Sequence, residues 1–155
     1  PGGQPAPFQV YGLGLDHKHV PEIQHHAGLQ TRPVFLPAYG AFRQGIVLTI
    51  PLHLDSLPPH ADAAALHAAL AAHHAGHAQV RLQPLATAAD GVTLDPTALN
   101  GTDAIALWVL HHPKHRQAVL AAVFDNLGKG AAGAAVQNLE LVLQSTATAR
   151  PLAPA

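Results

Sequence analysis

Ala104–Leu110 (AIALWVL) and Gln117–Phe124 (QAVLAAVF) are two short apolar runs joined by HHPKHR. Runs of this length read as strands, and a polar connection with a proline makes them an antiparallel pair with one or both faces buried. Upstream, Ala78–Leu82 reads as another strand, followed by a long loop over residues 84–101 that holds Asn100-Gly101. Asp62–His74 (DAAALHAALAAHH) is an alanine-rich helix with Asp at its start and Gly76 past its end. Leu66 and Leu70 share one of its faces. Gly45–Leu54 (GIVLTIPLHL) is a β-branched strand broken by Pro58-Pro59. Before it come a loop (PAYGAFRQG) and a short strand at Val34–Leu36. A short helix spans His19–Ala27, with Pro21 in its first turn and Gly28 ending it. Phe8–Leu15 reads as the first strand, after a linker at residues 1–7.

Downstream of the pair, Asp125-Asn126-Leu127 leads into a glycine-rich long helix that runs to Gln144, and residues 145–155 read as a disordered tail. A helix that starts with so many glycines allows close backbone approach, but is weak alone, at about 1 kcal/mol per interior Gly against Ala. Another surface must pack on it. Strands do not alternate one for one with helices. The expected class is therefore α+β: a mixed, mostly antiparallel sheet covered by helices.

Composition narrows the function. Charged residues are 11 % and the net charge is -1, so there is no basic face for nucleic acid. No apolar run approaches the roughly 20 residues of a membrane span, and no signal segment opens the chain. Starting at Pro1 without an initiator Met, the sequence reads as a piece of a longer protein. With no cysteine, neither a disulfide, a thiolate metal site nor a cysteine nucleophile lies within these residues. Hydrophobic residues reach 48 %, but alanine supplies much of that, so the core is lean. Thirteen histidines in an Ala-, Pro- and Leu-rich, Met-free sequence read first as composition.

Three segments carry candidate chemistry. In Asp16-His17-Lys18-His19-Val20-Pro21-Glu22, two imidazoles, an ammonium and a carboxylate meet where a strand hands over to a helix. If the segment is extended, His17 and His19 point one way and Lys18 the other. The pattern suits proton transfer or anion binding. It is also open to a polar loop at a strand end or, less so, to a His-x-His metal pair. The helix start in DNLGKGAAGAAVQN offers free N–H groups and no bulky side chains, fit for a phosphate or the edge of a cofactor ring, or for tight packing. It matches neither dinucleotide-fingerprint nor Walker spacing. His73, His74 and His77, and His111, His112 and His115, lack the convergent spacing zinc wants and read as structural or incidental; no metal is assigned.

In order, HKHVPEIQ (17–24), FLPAYGAFRQGIVLTI (35–50), LNGTDAIALWV (99–109) and FDNLGKGAAGAAVQNLELVL (124–143) resemble the C-terminal half of N-acetyl-γ-glutamyl-phosphate reductases. Typical members carry HRHxPEI, FTPHLVPMxRGIL, a GSN-like strand entry and DNLxKGAxGQAVQNMN. The first and last motifs are the specific ones, and the resemblance is nearest to a shorter subgroup. It implies a glyceraldehyde-3-phosphate-dehydrogenase-like C-terminal domain at residues 8–124. It also implies a helix at 125–144 that packs on a Rossmann domain absent here.

The resemblance further implies reduction of an acyl phosphate to a semialdehyde with NADPH, through a thioester on a cysteine in a PGCYPT motif of the other half. By the same resemblance His17 is the acid/base group, with His19 the alternative. Lys18 and Glu22 would bind substrate, Lys18 replacing the usual Arg and losing its bidentate fork. Gln44 stands where the family has Arg before Gly, and Arg43, one position earlier, is the candidate to serve instead. Gly130, Ala131, Gly133 and Gln137 would lie near NADP. A cytoplasmic homo-oligomer is implied, with no nucleic-acid or membrane partner. The other readings are an aminoadipyl-phosphate reductase of lysine synthesis and a non-catalytic dimerisation or metal-binding module.

Overall fold

A computed structural model describes residues 7–148. The chain forms two compact units, residues 1–43 and 44–155. The first unit ends at Arg43 and the second begins at Gln44. The reason is that each unit closes its own sheet.

In the first unit, β1 (Phe8–Val10) pairs antiparallel with β2 (Ala38–Gly40), Gln9 facing Tyr39. The expected first strand stops at Val10 because the chain turns at Gly12 and Leu15, both at positive φ (67° and 57°). The second strand lies downstream of Val34–Leu36. Pro33 and Pro37 flank that run and remove its ladder N–H groups, so pairing begins only after Pro37. Helix α1 (His19–His26) buries Val20 completely and ends before Gly28, whose φ of 63° closes it.

The second unit holds a five-stranded sheet. Its strands are β3 (Ile46–His53), β4 (Val80–Leu82), β5 (Ala86–Thr87), β6 (Ile105–His111) and β7 (Gln117–Phe124). The order is β3-β7-β6-β4, with β5 also on β6 beyond β4. The β3/β7 and β7/β6 pairs are antiparallel, while β4 and β5 run parallel to β6. The architecture is the expected α+β, with a mixed sheet. The β6–β7 turn closes on His112, whose Nδ1 accepts from the Lys114 and His115 N–H groups at 3.0 and 3.1 Å. That gives His112 a structural task. The loop expected at 84–101 is shorter than thought, because β5 lies inside it.

Helix α2 (Ala63–His73) starts where Asp62 Oδ1 accepts the Ala65 N–H at 2.7 Å. It packs on β6 through buried Ala63 and half-buried Leu66 and Leu70. His67 on the same helix bonds to the Gln83 carbonyl at 2.9 Å. The core of this unit is small-chained: Ala106, Ala118, Ala121 and Ala122 are buried around Val109 and Val123. Edge strand β3, by contrast, exposes Val47, Leu48 and Ile50.

After β7 the chain makes a five-residue π-helical turn, Gly128–Ala132, and runs into α3 (Gly133–Thr148). Residues 145–148, expected in a disordered tail, therefore belong to this helix; Ser145 Oγ donates to the Val142 carbonyl at 2.8 Å. The expectations for 1–6 and 149–155 fall outside the described residues. No helix among the described residues is long and apolar enough to cross a membrane.

Candidate functional site

Two places carry the candidate residues, one in each unit. In the first, Gly12 and Leu15 turn the chain after β1, and Arg32 holds the turn. Its Nη2 donates to the Leu15 carbonyl at 3.0 Å and to Asp16 Oδ1 at 2.8 Å. The next residues are not extended: Lys18 has helical φ and ψ and stands at the N-cap of α1. His17 and His19 meet because of this turn, with ring centroids 4.7 Å apart. His17 also packs edge-on against Phe35 and Tyr11, at 5.2 and 5.9 Å. Glu22 stands in the first turn of α1.

The His19 N–H donates to His17 Nδ1 at 3.2 Å. A nitrogen that accepts carries no proton, so this bond assigns the neutral ring's hydrogen to Nε2. His17 therefore offers an N–H donor at its outer nitrogen. Half-buried against two aromatic rings, it is better held than exposed His19.

In the second unit, Asp125 follows β7 directly and is 2 % exposed. Oδ2 accepts from the Gly101 N–H at 2.7 Å and from Gln44 Nε2 at 3.0 Å. Oδ1 accepts the Leu127 N–H at 2.9 Å. These backbone donors, Gly101 first, then Gly128 and Leu127, hold its carboxyl below the usual carboxylate range. Beside it, Asn126 Oδ1 accepts the Gly45 N–H at 2.7 Å, and Asn100 Nδ2 donates to the Gln44 carbonyl at 3.2 Å. Gly45, at φ 108°, lies so close to the Pro96 carbonyl and Asn100 Oδ1 that a Cβ would collide with both.

This arrangement revises the reading of the glycine-rich start. The Leu127 and Gly128 N–H groups at this start are taken up by the chain's own Asp125 carboxylate. The glycines also have partners within the chain. A Cβ on Gly133 would strike Asp103 Oδ1, and one on Gly130 would press on Phe124 at 3.2 Å. Ala131 is exposed, and Gln137 Oε1 accepts from Lys129 Nζ at 3.1 Å. An open groove of about 480 Å³ lies alongside, lined by Gln79, Asp103, Gly133, Val136, Gln137 and Glu140. Its two carboxylates disfavour phosphate and suit hydroxyl or amide donors.

The structure thus brings His17, Lys18 and His19 together, and Gln44 with Asp125. Arg43 is exposed and ends the first unit. Sequence reasoning missed Asp125, although an Asp between an apolar strand and a helix start is a cap-like signal. Among the described residues no group of three or more His, Asp or Glu is placed to hold a metal ion.

The α+β architecture with its mixed five-stranded sheet is consistent with a dehydrogenase dimerisation domain. The chain belongs to the semialdehyde dehydrogenase dimerisation-domain family, whose pattern matches residues 5–126. It is 58 % identical over 145 residues to the N-acetyl-gamma-glutamyl-phosphate reductase of Burkholderia cenocepacia, covering 94 % of this chain and 46 % of that protein. To N-acetyl-gamma-glutamyl-phosphate reductase 2 of Pseudomonas putida it is 55 % identical over 144 residues, 92 % of this chain and 46 % of the relative. The Nostoc protein of the same name is 43 % identical over 140 residues, 88 % and 44 % of the two chains. The chain spans about half the length of the curated relatives it matches.

Proposed function

We propose that this chain is the substrate-binding and dimerisation half of an NADPH-dependent N-acetyl-γ-glutamyl-phosphate reductase of arginine synthesis, working in the cytoplasm. The observation that carries the reading is the His17-Lys18-His19 turn in a chain of which 92 % matches, at 55 % identity, 46 % of a protein of that name. The other half supplies a cysteine thiolate. Its sulfur adds to the acyl carbon, the carbon–oxygen bond to phosphate breaks, and phosphate departs. NADPH, when bound, would supply the hydride that reduces the thioester to the semialdehyde; the thiolate is released and NADP+ is left.

The residues of this chain orient and protonate. His17 donates from Nε2 to the oxygen or sulfur that carries developing negative charge, because Nδ1 is held by the His19 N–H. Lys18, one residue on and exposed, attracts the anionic substrate, and Glu22 orients it. Arg43 is the cation for the acyl phosphate; Gln44, engaged by Asp125, is a neutral contact.

Gly130, Ala131, Gly133 and Gln137 flank the cofactor. The groove beside Gln137 fits its uncharged nicotinamide–ribose end, and the phosphates fall to the other half. Support for a docking face comes from α3, which exposes Val136 and Leu139 at 54 % and 58 %. The family match also stops at residue 126, before this helix. Dimer formation fits the apolar residues exposed on β3.

The test is an assay of the full-length protein with N-acetyl-γ-glutamyl phosphate and NADPH, followed by nicotinamide oxidation and phosphate release. One NADPH oxidised for each phosphate released is expected. No turnover with this acyl phosphate would overturn the reading.

A further inference from the structure

A buried ionised carboxylate is costly unless it is fully hydrogen-bonded, so where its partners lie shows what it holds together. Asp125 is the one buried charged side chain among the described residues. Its bonds to Leu127 and Gly128 cap the local turn, as an Asn, Ser or Thr at this position could also do. The other two are not local: Gly101 lies 24 residues away and Gln44 lies 81 away. They do nothing for the helix start. They tie it to the Asn100-Gly101 turn and to the loop that carries Gln44. Asn126 repeats the link through the Gly45 N–H, and Asn100 repeats it through the Gln44 carbonyl.

We infer that Asp125 is a positioning residue: its carboxylate locks the Gln44 loop to the first turn of the helix that bears Gly130, Gly133 and Gln137. The inference rests on the reductase reading, since that reading gives the two segments their substrate and cofactor roles. Asp125 does not touch the reacting atoms. It fixes the distance between two groups of residues that do, and it selects which end of the Gln44 amide turns inward. The π-helical turn adds to the lock, because the Asp125 carbonyl accepts from the Gly130 N–H at 2.8 Å, five residues on.

The experiment uses the full-length enzyme. Asp125→Asn keeps the size, removes the charge and turns an NH2 toward N–H donors. Gln44→Leu removes the long link together with the Gln44 substrate contact and leaves the cap intact, so the exchange measurement is what isolates the link. Steady-state kinetics and amide hydrogen exchange are read well below the melting temperature. Both variants are expected to raise the KM for the acyl phosphate about tenfold, the worth of one hydrogen bond to a charged group. Exchange at the Gly45 amide should rise in both, and the double variant should be no worse than Asp125→Asn alone. Unchanged KM and exchange in Gln44→Leu would overturn the inference, as would multiplying effects in the double variant. A wild type that reduces no acyl phosphate would sink the reductase reading instead, and the exchange measurement would still decide whether Asp125 locks the loop.

Discussion

His17 and Asp125 are held in opposite ways. His17 sits half-buried on a turn whose clamp, the Arg32–Asp16 pair, leaves the Asp16 side chain 89 % exposed. It has one backbone bond and aromatic neighbours. Asp125 is buried, ionised and bonded from three segments of chain. The difference separates two jobs. A group that moves protons has to be reached by substrate and cannot be fully enclosed. A group that sets distances must be over-determined, and is useless if exposed.

Substitutions at the enclosed region should therefore cost stability, in falling order of the constraint they break. Gly45→Ala is expected to be the worst, roughly 3 kcal/mol or more, because overpacking adds to an unfavourable positive φ. Urea unfolding checks it; a loss below about 1 kcal/mol would mean that the loop yields easily. Asp62→Ala should cost about 1 kcal/mol through the lost helix cap. Arg116→Ala, which opens an exposed 2.5 Å pair with Asp55, should cost least from the pair itself, about 0.2–1 kcal/mol. A cost at Arg116 that exceeds the one at Gly45 would break the contrast.

Acid sharpens the same contrast. The Asp125 carboxyl is depressed in the folded state, so its contribution is complete above the unfolded value of about 3.9. It is lost as pH falls through the folded value. Asp125→Asn should flatten the acid limb of a stability-against-pH curve below about pH 4 and leave its shape near neutrality alone. Asp90 and Asp95 are depressed too, each by the N–H and hydroxyl of a threonine, so part of the limb will remain.

Much of this was legible in the sequence, for local reasons. The β6–β7 pair, α2 with its Asp62 cap and Gly28 after α1 are set by periodicity and by residues a few positions apart. The His17-Lys18-His19 cluster was legible as chemistry, though not as a helical turn at Lys18. What was not legible depends on distant partners. Nothing near Gly133 reveals that Asp103 lies against it, and nothing near Asp125 reveals Gln44. The sequence shows the glycines as room for close approach, but not that Phe124 and Asp103 are among the groups approaching them. Val34–Leu36 misled because apolar content outweighed the two flanking prolines.

The central claim is that His17 is the proton-donating group of an acyl-phosphate reductase, and kcat of the full-length His17→Ala enzyme tests it most directly. A fall of roughly 10²–10⁴, with the Kd for NADPH little changed and a smaller fall for His19→Ala, is the result the account predicts. An unchanged kcat for His17→Ala would contradict it.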